Sequence, residues 1–93
     1  MDSTQASSEE DVDRVFRALG ASTRRDILRR TLEREQSIST LAADYEMSFA
    51  AVQKHVAVLE AANLITKRTE GRERLVRANP ERIAQARAIL ARL

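Results

Sequence analysis

Two apolar stripes of helical period, separated by only three residues, occupy positions 39–62 and leave this segment little choice of fold. Ser39-Thr40-Leu41-Ala42-Ala43-Asp44-Tyr45 has the spacing of a short helix, Glu46-Met47-Ser48 reads as a tight turn, and residues 49–62 have the length and period of a second helix. Residues 64–69 and 72–77 follow at once as two short strands, with Glu70-Gly71 predicted at the turn. A short helix bracing a second one, beside a cationic two-stranded flap, is the shape that seats a helix in a DNA major groove while the flap grips the flanking backbone.

The rest of the chain supplies supports for that unit. Residues 1–7 lack apolar periodicity and are expected to form a disordered tail, leaving 8–93 as one domain. Ser8 is placed to cap a first helix whose opening turn holds Glu9, Glu10 and Asp11, favourable at the positive end of the helix dipole. Val12, Val15, Phe16 and Leu19 recur at helical spacing, and Gly20 ends the run. Ser22 is expected to cap a second helix with Ile27, Leu28 and Leu32 inward and Thr31 beside them. Ile38 looks like a lone apolar anchor before a third helix capped by Ser39, with Leu41, Ala42 and Tyr45 on its inner face. Asn63 suits a left-handed helix end. Asn79-Pro80 is an N-cap followed by proline at the first helical position, and Ile83, Ala86, Leu90 and Leu93 make a stripe along a last helix with Ile89 at its edge. The expected order is α-α-α-α-β-β-α: mainly α, with a two-stranded β wing.

Steps of about 100° per residue assign the faces of the helix that begins after Ser48. Val52, Val56 and Leu59 cluster inward, which leaves Ala50, Lys54, Ala57 and Ala61 opposite them and Ala51 and Gln53 on the shoulders. Gln53 can bond adenine bidentately, and Lys54 can reach guanine acceptors or a phosphate. Ser48 caps this helix, and the free N–H groups of its first turn suit a phosphate; Ser39 and Thr40 can act likewise one helix earlier. Phe49, at the edge of the inward face, is expected to pack against the domain in preference to meeting thymine methyl groups. His55 is expected at the domain boundary. No second histidine exists to complete a metal site with it.

The hairpin gathers Lys67, Arg68, Arg72, Arg74 and Arg77 against Glu70 and Glu73. Gly71 permits the turn, and Arg72 projects from the tip, where an arginine can enter a narrow minor groove. A strand edge guarded by charge would look similar in isolation; beside a helix-turn-helix the DNA reading is preferred. Charge distribution points the same way. The net +2 conceals five acids and no base in residues 1–13, against sixteen bases and nine acids from Arg14 onward. That excess suits a polyanion.

Other function classes lack their materials. With no cysteine, disulfides, thiol redox sensing and thiolate metal sites are excluded. A single histidine, no glycine-rich phosphate loop and no carboxylate pair on a shared face argue against an enzyme, and no cofactor is expected. No run is long enough to span a bilayer, and the acidic, polar N-terminus does not resemble a secretory signal. A cytoplasmic, nucleoid-associated location is expected, with double-stranded DNA as partner and no membrane association.

Taken together, Ala18-Leu19, Ser22-Thr23-Arg24-Arg25, Ile27-Leu28, Leu41-Ala42, Met47-Ser48, Val52, His55-Val56, Val58-Leu59-Glu60, Ala62-Asn63-Leu64-Ile65 and Gly71-Arg72 resemble an ArsR-type winged helix-turn-helix transcriptional regulator over roughly residues 14–77. The resemblance implies a homodimeric repressor joined through its first and last helices, here Val12, Val15, Phe16 and Leu19 against Ile83, Ala86, Leu90 and Leu93. It also implies Arg24 as a backbone contact, with Ser48, Ala50, Gln53 and Lys54 on the recognition helix. The chain departs from the metal sensors of that family. Ser37-Ile38-Ser39-Thr40-Leu41 stands where arsenic, cadmium and lead sensors carry cysteines, and the last helix offers only Glu81 where zinc and nickel sensors carry histidines and acids. Asn63 replaces the usual glycine. The metal-independent branch is the expected affiliation, with repression through an inverted repeat and no effector identifiable. A winged-helix module that docks on a protein instead of DNA is the alternative.

Overall fold

The computed structural model describes residues 9–93, so the expected tail over residues 1–7 and the Ser8 cap lie outside the described residues. The elements are α1 (Glu9–Leu19), α2 (Ser22–Glu33), β1 (Gln36–Ser37), α3 (Ile38–Tyr45), α4 (Phe49–Ala61), β2 (Ile65–Glu70), β3 (Glu73–Ala78) and α5 (Pro80–Ala91). This is a winged helix. The helices surround one core in which Val15, Ile27, Ile38, Leu41, Val52, Val56, Leu59 and Val76 lose all contact with solvent. None of the described helices is long and apolar enough to cross a membrane.

The wing has one strand more than expected. β1 pairs antiparallel with β3 through Gln36↔Val76 and Ser37↔Leu75, giving the order β1-β3-β2. A two-residue strand carries no alternation to recognise, and only the pairing with residues some forty positions later defines it. The hairpin turn also shifts by one residue. Glu70 pairs with Glu73, so Gly71 and Arg72 form the two-residue loop, and Gly71 takes a φ of 63° that side chains resist.

Two helix starts differ from expectation by one or two residues. Ser37, not Ser39, caps α3: its side chain accepts from the Thr40 backbone N–H at 3.0 Å. Starting the helix earlier makes Ile38 its first residue and buries that side chain completely, an outcome that a Ser39 cap would not give. Likewise α2 begins at Ser22, with Ala21 at the cap position and no side-chain cap bond. Within α2 the inward stripe is Ile27, Leu28 and Thr31, whereas Leu32 is 48% exposed. Thr31 tolerates burial because its hydroxyl donates to the Ile27 carbonyl at 2.7 Å.

The ends of α4 and α5 follow the sequence closely. Ser48 accepts from the Ala51 N–H at 3.0 Å, and Asn63 adopts the left-handed conformation at φ 62°. Asn79 caps α5 by accepting from the Arg82 N–H, with Pro80 in the first turn. The faces of α5 were less legible. Arg82, Ala86 and Ile89 turn inward, while Leu90 is 38% exposed and Leu93, past the helix end, is 80% exposed. Arg82 is only 8% exposed. Its guanidinium donates to Asp11 Oδ1 of α1 at 2.8 Å, to the Ala62 carbonyl at 3.0 Å and to Gln85 Oε1 at 3.2 Å. One side chain therefore ties the first helix, the end of α4 and the last helix together.

Candidate DNA-binding surface

Helix α4 divides as its period demands. Val52, Val56 and Leu59 are fully buried, and Ala50, Lys54, Ala57 and Ala61 are exposed on the far side. Gln53 is half-buried on the shoulder. Neither Gln53 nor Lys54 makes a side-chain hydrogen bond or ion pair among the described residues. Their polar ends are uncommitted. Phe49 departs from expectation: at 42% exposed it is the large apolar side chain that α4 leaves in water, and it is not among the side chains packed on the core.

A polar brace holds α3 at its angle to α2. The Tyr45 hydroxyl donates to Asp26 Oδ2 at 2.5 Å, and Arg29 also donates to Asp26. The Tyr45 bond first, aided by Arg29 and Arg30, holds the Asp26 carboxyl below its ordinary range. Burial, then the same bond, pushes the Tyr45 phenol up to about 12. Arg30 meets Asp44 at 2.6 Å and lies over the Tyr45 ring, 5.4 Å from its centroid. Ser39 and Thr40, at the exposed start of α3, are thereby held at a fixed place beside α4.

The hairpin register separates basic residues that the sequence places side by side. Cross-strand partners share a face, so Lys67 with Val76 and Thr69 with Arg74 lie on one side of the sheet, Arg68 with Leu75 and Thr66 with Arg77 on the other. Lys67 meets Glu60 of α4 at 3.2 Å. Arg68 donates through Nε and Nη2 to both carboxylate oxygens of Glu35 at 2.9 Å, and it pairs with Glu70 at 3.1 Å. These bonds from Arg68 hold the Glu35 carboxyl below its usual value. Arg72 and Arg74 are exposed and make no ion pair among the described residues. Arg77, near the base of the hairpin opposite Thr66, is likewise exposed with no ion pair among the described residues, so the free cations of the wing lie at its tip and at its base. Glu60, Lys67, Arg68, Thr69 and Arg74 line a polar cleft of about 270 Å³ between α4 and β2.

Arg24, the backbone contact that the resemblance implies, is also bonded within its own chain. Its Nε donates to the Ala18 carbonyl at 2.9 Å and its Nη2 to the Arg17 carbonyl at 2.7 Å, closing the C-terminal end of α1. Its Nη1 lies 3.1 Å from Nδ1 of His55 on α4. Only two of its five N–H groups stay unused by these bonds. Burial, then the Arg24 charge, lowers the His55 pKa from the usual histidine value, so the neutral ring that can accept from Arg24 is favoured. His55 is a boundary residue, as expected, and no group of three or more His, Cys, Asp or Glu among the described residues could hold a metal ion.

Sequence reasoning missed Glu35, Glu60 and Arg82. Glu35 and Arg82 act through partners 33 and 71 residues away, Arg68 and Asp11, and Glu60 meets Lys67 across the turn from α4 into β2, so no helical or strand period reveals them. It also spent two interface residues twice. Val15 and Ala86, assigned to a dimer contact, are buried in the core of their own chain. Val12, Leu19 and Ile83 are partly covered, and Phe16, Leu90 and Leu93 remain exposed.

A helix-turn-helix with an uncommitted outer face, flanked by a basic-tipped hairpin, defines a winged-helix DNA-binding protein. The family model for bacterial regulatory proteins of the arsR family matches residues 21–67, from α2 into β2. The HTH-type transcriptional regulator Rv2034 of Mycobacterium tuberculosis is 35% identical over 86% of this chain and 75% of its own length. Among solved structures, an ArsR family transcriptional regulator superposes with a TM-score of 0.82 at 29% identity, covering 91% of this chain and 88% of that one. A homodimeric winged helix-turn-helix DNA-binding domain from Mycobacterium bovis shares the fold, with a TM-score of 0.78 at 20% identity over 98% of this chain and 85% of that one. The chain belongs to the ArsR family of transcriptional regulators, and it is a DNA-binding regulator. Its relatives are regulators and not enzymes.

Proposed function

We propose that the protein is a dimeric, metal-independent repressor that binds an inverted repeat in the cytoplasm, at the nucleoid. The observation that carries this reading is the outer face of α4: Lys54 is exposed, Gln53 sits on its shoulder, neither has a partner among the described residues, and Val52, Val56 and Leu59 lock the opposite face into the core. In this reading Gln53 reads an adenine edge, Lys54 a guanine or a phosphate, and Ala50 lets the helix approach the groove floor. Ser48, Ser39 and Thr40 meet backbone phosphates at two helix starts. Arg72 and Arg74 hold the flanking backbone, with Arg72 nearest the minor groove. Lys67 and Arg68 reach phosphates only by loosening from Glu60 and Glu35, and Arg24 chiefly steadies α1 against α4.

Dimerisation is proposed through Phe16 and Val12 of α1 with Leu90 and Leu93 at the end of the chain, flanked by Leu19 and Ile83. Three of the five exposed large apolar side chains among the described residues, Phe16, Leu90 and Leu93, are found there. Removing Phe16 or Leu90 from water is worth roughly 1 kcal/mol, about half the value for a fully exposed side chain, and the more exposed Leu93 is worth more. The Mycobacterium bovis domain of the same fold is homodimeric, in keeping with a dimer here. A two-fold axis would set the two recognition helices about 34 Å apart, in successive major grooves. Selection of binding sites from random duplexes, followed by a mobility shift with the gene's own upstream region, tests the function. An inverted repeat is expected; salt-sensitive binding with no sequence preference would overturn the reading. Sizing in solution tests the dimer, and a monomer at micromolar concentration would count against it.

A further inference from the structure

We infer that Phe49 is a specificity-determining residue that contacts the C5-methyl group of a thymine next to the adenine read by Gln53. The inference rests on the DNA-binding reading above. Phe49 is the first residue of α4, and it stays 42% exposed although it lies at the edge of the buried stripe, about 20° from Val56 around the helix. It lies one turn before Gln53, and at 100° per residue the two side chains are about 40° apart on one flank of the helix. Ala50 and Lys54 continue that surface around the helix, also exposed. Phe49 therefore stands at the N-terminal end of the helix, on the flank between the buried stripe and the outer face, and Ala50, Gln53 and Lys54 carry the surface on from a phenyl ring to a methyl group, an amide and an amine.

Chemistry names the partner of the ring. Every polar group on the major-groove edge of a base pair seeks a donor or an acceptor, and a phenyl ring supplies neither. The thymine methyl is the apolar group that projects there. Phe49 and Gln53 are separated by about 6 Å along the helix axis, and base pairs by about 3.4 Å, so the thymine falls one or two pairs from the Gln53 adenine. The domain leaves part of this side chain in water when DNA is absent. Covering it in the complex returns part of that cost, and only where a methyl group is present.

The test uses the full chain and its selected operator. Each thymine of a half-site is replaced singly by deoxyuridine, which removes the methyl group and keeps the Watson–Crick edge. Wild-type affinity is expected to fall about fourfold at one position. That position should lie within two base pairs of the one where Gln53→Ala relaxes preference. Phe49→Ala should bind the thymine and uracil operators equally, and Phe49→Leu should keep part of the discrimination while melting at the wild-type temperature. Loss of methyl sensitivity in Phe49→Ala alone supports the assignment. Equal wild-type affinity for every uracil operator, or full methyl sensitivity in Phe49→Ala, would overturn it while leaving the repressor reading intact. Absence of any selected operator would remove both.

Discussion

Arg82→Met should be among the most damaging single changes outside the apolar core. Methionine matches much of the arginine stem but donates no hydrogen bond. The change removes the donor 3.0 Å from the Ala62 carbonyl and the cation 2.8 Å from Asp11 Oδ1. With 9% and 17% of the two side chains exposed, water can only partly replace the lost partner. Breaking a buried pair by deleting one member costs about 3–5 kcal/mol, and the partial access of Asp11 points to the lower figure, about 3. A domain of this length has on the order of 4–13 kcal/mol of total stability. The melting temperature should then drop by roughly 12–24 °C. Far-UV circular dichroism, with thermal and urea melts at one fixed protein concentration, gives the number without interference from assembly. Asp11→Asn combined with Arg82→Met should be less unstable than the sum of the single changes by at least about 1 kcal/mol. A loss under about 0.5 kcal/mol for Arg82→Met, or simple additivity, would refute the claim that this pair joins α1 to α5.

Other consequences are open to direct measurement. Replacing Gln53 by alanine should cost about 1–3 kcal/mol on the cognate operator and relax preference at one base pair; a uniform loss on all sequences would contradict base reading. Arg72→Ala and Arg74→Ala should each flatten the dependence of log affinity on log salt by about one unit. Arg68→Ala should flatten it by clearly less, because Glu35 and Glu70 already neutralise that charge, and equal slopes for all three would be evidence against the pairing. The folded state holds the His55 pKa below its unfolded value near 6.5. The unfolded chain therefore binds the proton first, and stability, complete above about pH 6.5, declines as pH falls toward the folded value. His55→Gln should show a shallower acid decline, read from urea midpoints between pH 7 and pH 5, and an unchanged decline would dismiss His55 as its source. Glu46 ends α3 with φ 56°; Glu46→Gly should raise stability by about 0.5–1 kcal/mol, the relief of a left-handed side chain less the added freedom of the unfolded chain.

Local chemistry was enough to read much of this molecule. The inward stripe of Val52, Val56 and Leu59, the Ser48 and Asn79 caps, the left-handed Asn63 and the outward Lys54 all depend on neighbours within one or two helical turns, and such rules act wherever the chain is placed. Helix periodicity and capping therefore specified the recognition helix and the residues on its outer face. Tertiary structure decided which charges and apolar groups were already spoken for. β1 exists because β3 offers it a partner. Ser37 displaced Ser39 as a cap because the core could bury Ile38. Lys67 and Arg68 were drawn to Glu60 and Glu35, Arg24 to the end of α1, and Arg82 to Asp11, while Val15 and Ala86 filled the protomer's own interior and Phe49 was left outside it. Ion pairing and packing are set by distance in space, and pairs 33 or 71 residues apart leave no trace in sequence spacing.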